Sequence, residues 1–595
     1  MKAIQRSLIA VGIAAAFANN AQAFIFQTDS VQGSLDTQLT VGMGKRVQGQ
    51  DCGLVGDRNV CGAAANTAQW ANADNGDLNY NKGDLFTTHL KGTHELLLKF
   101  PDEWKFMARG TWLVDFKATD TARSELESDA VKQISRDTRL LDFWVSKEIS
   151  FEGGKKLRTR LGQQAINWGE SLFTTGGINA TNALDLQKLA IPGTQLKEAV
   201  LPAPMLSLAA SLGRGVNVEG YYQFQWQQNR YPPAGTYFSV TDIYDKGREP
   251  IAYFDQSNFN LSGPDSISKK PGVRNLLAIQ QARQALISAG GDAQSFPFTV
   301  NANDGKPKKD GQYGLSLHYK PDQLQADFGF YYVNYHDKSP NLTITPTEYK
   351  WSYLENRKLY GVSTNFPLGD WSIGSELSYR PKDAVALSGC FNSTGPLDFN
   401  TNGAPVSCDQ WIDEKKYQFI LTAQRQLTPS DSGELLSMLG GATTAYLTLE
   451  AVGIRYPGVS PYKRYVRTVG GQQVVQVPAA GLLAWLDPNK LTGSGGTANS
   501  WGITADFNWI YDNSVIEGFQ VIPGITYFQA IKGDTPNFTA NLLENVKYAN
   551  FYVLFNQNIG KWQAGVNYST WFGSDTLRNV YKDRDFVGGF LTRSF

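Results

Sequence analysis

The chain has 595 residues, and its 55 Lys and Arg residues balance 55 Asp and Glu residues, so the formal net charge is zero. Because the sequence also has no block of basic residues, it predicts no positively charged surface for binding nucleic acid. No apolar run beyond residue 23 approaches the ~18 residues that a membrane helix needs, which excludes a helical transporter. Apolar residues make up 42% of the chain, enough to predict a folded protein rather than a disordered one.

Residues 1–23 have the features of a secretory signal peptide. Lys2 and Arg6 precede an apolar run, and the segment ends in Ala21-Gln22-Ala23, an Ala-x-Ala cleavage site. Cleavage there leaves residues 24–595, which we expect to form a single domain outside the cytoplasm.

The four cysteines form two pairs of neighbours in the sequence. Cys52 lies close to Cys61, and Cys390 lies close to Cys408. Four cysteines allow three pairings, so proximity favours two local disulfides, Cys52–Cys61 and Cys390–Cys408, without fixing them. Such bridges fit an oxidising compartment.

Apolar and polar residues alternate in segments from one end of the chain to the other, which is the pattern of half-buried β-strands. Between residues 216 and 227, even positions include Tyr222 and Phe224, while odd positions include Gln223 and Gln225. Strands of about ten residues match a tilted crossing of a bilayer. Eighteen such candidate strands can be placed along the chain.

The connections between the candidate strands alternate between short and long. The turn at 101–103 is short, whereas segments 45–88, 164–204 and 228–310 are long, and 426–443 is the one overlong turn. Outer-membrane barrels alternate in this way because their periplasmic turns are short and their outer loops long. A closed barrel also leaves no unpaired sheet edge in lipid.

The sequence therefore predicts an all-β protein, a transmembrane antiparallel outer-membrane β-barrel of about eighteen strands, with sixteen as the alternative count. A barrel of this size encloses an aqueous lumen unless a segment folds inward. The polar strand positions predict a lumen lined by Lys91, Glu95, Lys99, Lys105, Arg109, Asp115, Glu219, Gln223, Gln225, Glu376, Arg380, Glu450, Asp506 and Asn508.

Segment 164–204 is the candidate for an inward-folded constriction loop. It is rich in Leu, Ala and Ile, too apolar for a freely solvated surface loop, although an ordered surface cap is the alternative. Segment 228–310 is predicted to be an extracellular insert whose amphipathic helix, at 273–289, forms a lid, a plug or an interfacial helix. The constriction residues are predicted to be Trp168, Glu170, Ser171, Pro192, Gly193, Lys197 and Glu198.

Five short segments resemble one protein family: Trp168-Gly169-Glu170-Ser171, Pro192–Ala199, Gly235–Ser239, Tyr335-His336 and Glu376–Arg380. With these segments the chain resembles, over its whole mature length, the "domain of unknown function 1302" family of Gram-negative outer-membrane proteins. The resemblance implies a porin-like barrel, often encoded near a lipoprotein-like partner family and resistance-nodulation-division exporters. It also implies transport of hydrophobic or amphiphilic compounds, and no catalytic residues.

The leading functional prediction is a channel for small hydrophobic or amphiphilic molecules, constricted by lumenal aromatic residues and by segment 164–204. The main alternative is an aqueous porin selective for small carboxylates or other polar solutes, because Lys91, Lys99, Lys105 and Arg109 cluster on neighbouring strands. A structural barrel or adhesin is a third class. A barrel lipase or protease needs a positioned histidine constellation, so with 4 His and neither a Gly-x-Ser-x-Gly elbow nor a His-Glu-x-x-His motif we predict no enzyme.

The expected partners are outer-membrane lipid, the barrel assembly machinery and a hydrophobic or amphiphilic small molecule. The family resemblance adds an inner-membrane exporter or a periplasmic partner. No cofactor and no metal are expected. The final strand ends in Phe595 with Leu591 and Val587 on the same face, as in outer-membrane barrels, whereas Arg593 departs from that pattern.

Overall fold

The computed structural model describes residues 24–65, 73–249, 251–252, 288, 299–344, 348–392, 395–396, 407–469, 472–481, 495–557 and 561–595. The predicted signal peptide, residues 1–23, lies outside the described residues. The predicted helix at 273–289 also lies outside them, apart from Ser288.

Eighteen antiparallel strands form one closed barrel, which confirms the predicted fold class and the higher of the two strand counts. Each strand pairs with the next, and the last pairs back onto the first, where Val41 faces Leu591. The strands are β1 Gln32–Arg46, β2 Leu85–Lys99, β3 Trp104–Asp115, β4 Arg136–Ser150, β5 Lys156–Gln164, β6 Ala203–Gly213, β7 Val216–Gln223, β8 Gln312–Tyr319, β9 Asp327–Tyr335, β10 Arg357–Leu368, β11 Trp371–Ser388, β12 Trp411–Leu427, β13 Thr444–Arg455, β14 Asn499–Asp512, β15 Phe519–Lys532, β16 Lys547–Gln557, β17 Trp562–Phe572 and β18 Phe586–Ser594.

Short turns and long loops alternate around the barrel. One end carries turns such as 214–215 and 369–370, and the other carries loops such as 165–202, 224–311 and 456–498. By the general rule for outer-membrane barrels, the turn end is periplasmic and the loop end extracellular. The overlong periplasmic connection contains a helix, Pro429–Met438, that the sequence analysis did not predict.

The remaining elements are short. The helices are α1 Arg58–Cys61, α2 Asn75–Leu78, α3 Ser128–Ser135, α4 Leu186–Leu189, α5 Leu196–Ala199 and α6 Pro429–Met438, with single 3-10 turns at Cys52–Leu54, Gly62–Ala64 and Glu152–Gly154. The minor strands are Phe24–Gln27, Ala183–Leu184, Val200–Leu201, Ile251–Ala252, Thr299–Gly305, Asn341–Ile344, Glu348–Ser352, Phe391–Asn392, Gly395–Pro396, Cys408–Asp409, Tyr465–Val469 and Gln472–Pro478. In the part of the chain that the structure describes, no helix is both long and apolar enough to cross a membrane.

The outer surface of the barrel is apolar because alternate residues of each strand face away from the lumen. On β12, Tyr417, Phe419 and Leu421 are exposed large hydrophobic residues, while Lys416 and Gln418 between them are buried. Such a surface is stable only against lipid. Helix α6 packs onto the same outer surface at the periplasmic end, in a cluster with Leu427, Ala445, Phe507, Trp509 and Tyr511.

Aromatic rings next to the final strand explain how Arg593 is accommodated on the outer face. Its guanidinium lies 4.9 Å from the ring centre of Trp562 and 4.9 Å from that of Phe595. A cation on aromatic rings is stable at the end of a membrane strand. Phe595 also exchanges two backbone hydrogen bonds with Thr37, of 2.8 and 3.1 Å, which extends the β18–β1 pairing.

The extracellular loops have a packed core of their own. Ile344, Tyr349 and Trp351 are fully buried together with Cys390 and Cys408. The Cys390–Cys408 disulfide is present, and so is the Cys52–Cys61 disulfide, which confirms both predicted bridges. The loops at this end of the barrel therefore pack against one another and are not independent hairpins.

Candidate functional site: the barrel lumen and its inner loop

The lumen-facing positions follow from strand register, since residues directly opposite each other on neighbouring strands share a face. On β11, Glu376 lies opposite Ile420 of β12, and Leu377 lies opposite Phe419. Phe419 is exposed on the outer surface, so Glu376 and Ile420 face the lumen. Thr422 and Glu450 form the neighbouring lumen-facing pair.

The long loop between β5 and β6, residues 165–202, folds into this lumen, and we call it the inner loop. Its tip is held by Glu450, at mid-strand on β13. The Glu450 carboxylate accepts backbone N–H groups from Leu172 at 2.6 Å, Phe173 at 3.0 Å and Thr174 at 2.7 Å, and the Ser171 hydroxyl lies 3.4 Å away. Hydrogen bonds from backbone N–H groups to a carboxylate are strong, so this single side chain fixes the tip.

A second carboxylate holds the base of the tip. Glu376 accepts the backbone N–H of Glu170 at 2.8 Å and that of Ile178 at 3.0 Å. Gly177 lies against this carboxylate, in a place where a Cβ atom would overlap Glu376 Oε1. Arg380 adds a hydrogen bond of 2.8 Å to the Gly177 carbonyl.

On the opposite side of the lumen, the second half of the inner loop is bound to β2. Lys91 Nζ lies 2.5 Å from Glu198 Oε2, and the Thr93 hydroxyl donates to Glu198 Oε1 at 3.1 Å. Lys197 Nζ lies 3.9 Å from Glu95. Two adjoining residues, Pro192 and Gly193, pack against Gly588 and Phe590 of β18. The inner loop thus contacts walls on both sides of the barrel.

Apolar side chains of the inner loop divide into a buried and an exposed group. Trp168 and Ile178 pack on Met205, Tyr221 and Tyr331 of the wall. In contrast, Leu172, Phe173 and Leu196 are 44%, 40% and 62% exposed on a segment that lies inside the lumen. The inner loop therefore presents apolar groups to the space that it leaves open.

Strands β14–β17 form the wall that the inner loop leaves uncovered. Among the described residues, no hydrogen bond or ion pair joins the inner loop to these strands. Asp506 accepts from Thr526 at 2.6 Å, from Asn508 at 3.0 Å and from Tyr552 at 3.1 Å. Around Asp506 the uncovered wall is thus polar, with its side chains bonded to one another.

The other predicted lumen residues have varied surroundings. Arg109 contacts Asp142 and lies 3.8 Å from Glu95. Glu219 accepts the indole N–H of Trp168 at 3.0 Å. Asp115 accepts the Lys117 and Ala118 backbone N–H groups at 2.8 and 2.9 Å, so it caps the loop above β3.

Strand β7 ends earlier than predicted. Its last residue is Gln223 rather than Gln227, because the chain bends away from the sheet at this point. Gln223 is buried and donates to the carbonyl of Gln225 at 2.5 Å. Gln225 therefore lies beyond the strand, and the alternation that placed it on the lumen wall does not apply to it.

The histidines lie apart from one another. His89 faces the inner loop on β2, whereas His94 faces outward and bonds to Thr37 and Trp112, at 3.0 Å each. His318 Nδ1 lies 3.0 Å from Asp327. Within the described residues, no group of three or more His, Cys, Asp or Glu side chains could hold a metal ion.

Sequence reasoning missed several lumen-facing residues on β3–β5, namely Met107, Trp144, Arg158 and Arg160. Their positions follow from register: Met107 lies opposite Trp144, and Arg158 lies opposite Glu148. The alternation of the predicted strand at 157–163 was the signal that could have identified Arg158 and Arg160, since Leu157 and Leu161 occupy its outer face.

This architecture defines the class of the protein: a transmembrane outer-membrane β-barrel with a segment folded into its lumen. The sequence model of the family described as "Protein of unknown function (DUF1302)" matches residues 4–595. The chain belongs to this family, as its sequence motifs suggested. A comparison with curated proteins finds no match.

Three solved structures are similar to this chain over nearly its whole length. Acinetobacter baumannii OccAB1 is 10% identical, with 97% of this chain and 99% of that chain covered, at a TM-score of 0.42. Pseudomonas aeruginosa OpdK, solved with vanillate, is 10% identical over 95% and 98% of the two chains, at 0.37. A BenF-like porin from Pseudomonas fluorescens Pf-5 is 9% identical over 95% and 98%, at 0.38.

Proposed function

We propose that the protein is an outer-membrane channel for small amphiphilic molecules. The observation that carries the proposal is the arrangement at the inner loop. Leu172, Phe173 and Leu196 expose apolar surface inside the barrel, and the wall that the loop leaves uncovered carries a polar network around Asp506. A path with one apolar and one polar side suits a molecule that has an apolar part and a polar part.

The proposal is tested by channel block in planar bilayers. Purified protein is exposed to octyl glucoside below its critical micelle concentration, and separately to glucose, which has the same head group without the alkyl chain. We expect octyl glucoside to block ion current at a concentration about tenfold lower than glucose, since each buried CH2 contributes favourably. Equal block by the two compounds would overturn the proposal.

Two variants test whether the exposed apolar residues of the inner loop cause the preference for octyl glucoside. Leu172→Asn combined with Phe173→Asn removes the exposed apolar groups of the inner loop, and we expect it to abolish the preference for octyl glucoside. Leu324→Asn removes a leucine that is more exposed, at 57%, from the turn between β8 and β9, outside the inner loop. This control is expected to retain the wild-type preference.

A second candidate function is an aqueous porin selective for small carboxylates. One observation favours it: Lys99, Lys105, Arg158 and Arg160 face the lumen near the periplasmic end of β2–β5 without an ion-pair partner among the described residues. Acetate would then block as strongly as a long-chain carboxylate, because the alkyl chain would make no contact.

A further inference from the structure

Three lumen-facing cations lie in one row across four strands. Strand register places Lys99 opposite Lys105, Lys105 opposite Ser146, and Ser146 opposite Arg160. We call these four residues the cationic row. Neighbouring strands are about 4.8 Å apart, so the three charges lie within about 15 Å of one another.

The cations of this row differ from their neighbours in having no carboxylate of the described residues within ion-pair distance. On the same wall, Arg109 contacts Asp142, and Lys156 lies 2.8 Å from Glu148. Among the described residues, no comparable ion pair is made by any cation of the cationic row. Like charges this close repel one another, so an anion bound between them would relieve that repulsion.

The row immediately above is apolar. Register places Leu97 opposite Met107, Met107 opposite Trp144, and Trp144 opposite Gly162. We call these four residues the apolar row. The Arg160 guanidinium lies 4.2 Å from the ring centre of Trp144, which connects the two rows. Two residues along a strand span about 7 Å, so this is the distance between the two rows.

We propose that these two rows form a binding subsite for an anionic amphiphile, with its head group on the cationic row and its alkyl chain on the apolar row. The proposal rests on the proposed function and narrows its substrate class from amphiphiles in general to those with a negatively charged head. The side chains of Leu97, Met107 and Trp144 are partly exposed to the lumen, so the alkyl chain has surface to cover.

The orientation of the ligand follows from where the rows lie. Lys99 is the last residue of β2 at the periplasmic end, and Leu97 is two residues further into the barrel. Beyond the apolar row, Glu95 contacts Lys197 of the inner loop at 3.9 Å, and the exposed Leu196 adjoins it. The alkyl chain therefore extends from the periplasmic mouth toward the apolar side of the inner loop.

The test compares block of single-channel current by 1-octanesulfonate, by neutral octyl glucoside and by ethanesulfonate, which has the head group without the chain. We expect octanesulfonate to block at a concentration about tenfold lower than either of the others. Lys105→Gln combined with Arg160→Gln should remove the advantage of octanesulfonate over octyl glucoside. The same measurements in a background of Glu376→Ala combined with Glu450→Ala, which releases the inner loop, give a readout if the wild-type path is too narrow to conduct.

Lys147→Gln is the matched control. Lys147 adjoins Ser146 on β4 but lies on the outer face, with its ammonium 4.9 Å from the Trp104 ring centre. This variant also removes one positive charge at the same level of the barrel, and we expect it to keep the octanesulfonate preference. Heat-modifiable mobility on gels verifies that each variant is folded.

The outcomes separate the two proposals. Equal block by octanesulfonate and octyl glucoside in the wild type, or a preference that survives in the double variant, would overturn the anionic subsite and leave the amphiphile channel standing. Equal block by octanesulfonate and ethanesulfonate would also overturn it, because the apolar row would then make no contact. If octyl glucoside blocks no better than glucose, the proposed function itself fails.

Discussion

The two sides of the lumen use their polar groups differently. On β11–β13, the carboxylates of Glu376 and Glu450 accept hydrogen bonds from the backbone of the inner loop. On β14–β16, the carboxylate of Asp506 accepts from side chains of its own wall. Carboxylates thus bind the backbone of a separate loop on one side of the lumen, and only side chains of their own wall on the other. A polar lumen residue can therefore hold a separate segment or line a path, depending on whether a backbone reaches it.

The largest expected effect comes from releasing the inner loop. Glu376→Ala combined with Glu450→Ala removes the acceptors of five backbone N–H groups, and each buried donor left without a partner costs ~1–3 kcal/mol. We expect single-channel conductance to rise severalfold and current noise to increase. Unchanged conductance in planar bilayers would mean that these carboxylates do not position the constriction.

Gly177→Ala is expected to raise the single-channel conductance by a smaller amount. The new methyl group would overlap the Glu376 carboxylate and displace it from the Ile178 N–H. Conductance should rise, but less than in the double variant, because Glu450 still holds the tip. The control is Gly453→Ala, where a Cβ atom meets nothing within 4 Å and no change is expected.

On the uncovered wall, Asp506→Asn should leave the conductance near the wild-type value while shifting ion selectivity toward anions. The substitution removes one lumenal negative charge, and no inner-loop contact depends on that charge. The reversal potential in a KCl gradient measures the shift. A large rise in conductance would contradict the distinction between the two walls, since it would mean that Asp506 also restrains the loop.

The smallest expected effect concerns the extracellular insert, which lies outside both walls. Burial raises the pKa of Asp245 from 3.8 to about 6, although the Tyr231 N–H opposes the shift. The folded insert therefore binds this proton more tightly than the unfolded chain does. The resulting stabilisation is complete below pH 3.8 and is lost as the pH rises through about 6.

Hydrogen exchange of residues 228–249 should accordingly be faster at pH 7.5 than at pH 5, after correction for the intrinsic pH dependence of exchange. Asp245→Asn should remove this difference, because its amide does not titrate. Lumenal conductance should be the same at both pH values if the insert and the walls are independent.

Much of the barrel could be predicted from sequence because lipid enforces strict alternation. Tyr222, Gln223 and their neighbours show the two faces directly, and the end of β7 was missed only because alternation continues past the point where the chain leaves the sheet. Helix α6 was missed because residues 426–443 were interpreted as an overlong turn, although Thr428, Pro429 and Asp431 form a helix-start pattern. The helix at 273–289 stays a prediction.

The lumen could be predicted only in part. The apolar composition of residues 164–204 suggested a segment that folds inward, and Glu376 and Glu450 were recognised as lumen-facing. Sequence gives no information about which backbone N–H groups these carboxylates accept, because those contacts join residues 198 to 278 positions apart. The two rows on β2–β5 likewise depend on register between four strands.

Whether the inner loop narrows the lumen can be measured from the single-channel conductance of a protein in which residues 168–198 are replaced by a short Gly/Ser linker. This segment lies inside the lumen, and if it is the constriction, the conductance of this variant will be severalfold larger than that of the wild type. A conductance equal to that of the wild type, in a protein shown to be folded by heat-modifiable mobility, would contradict the account.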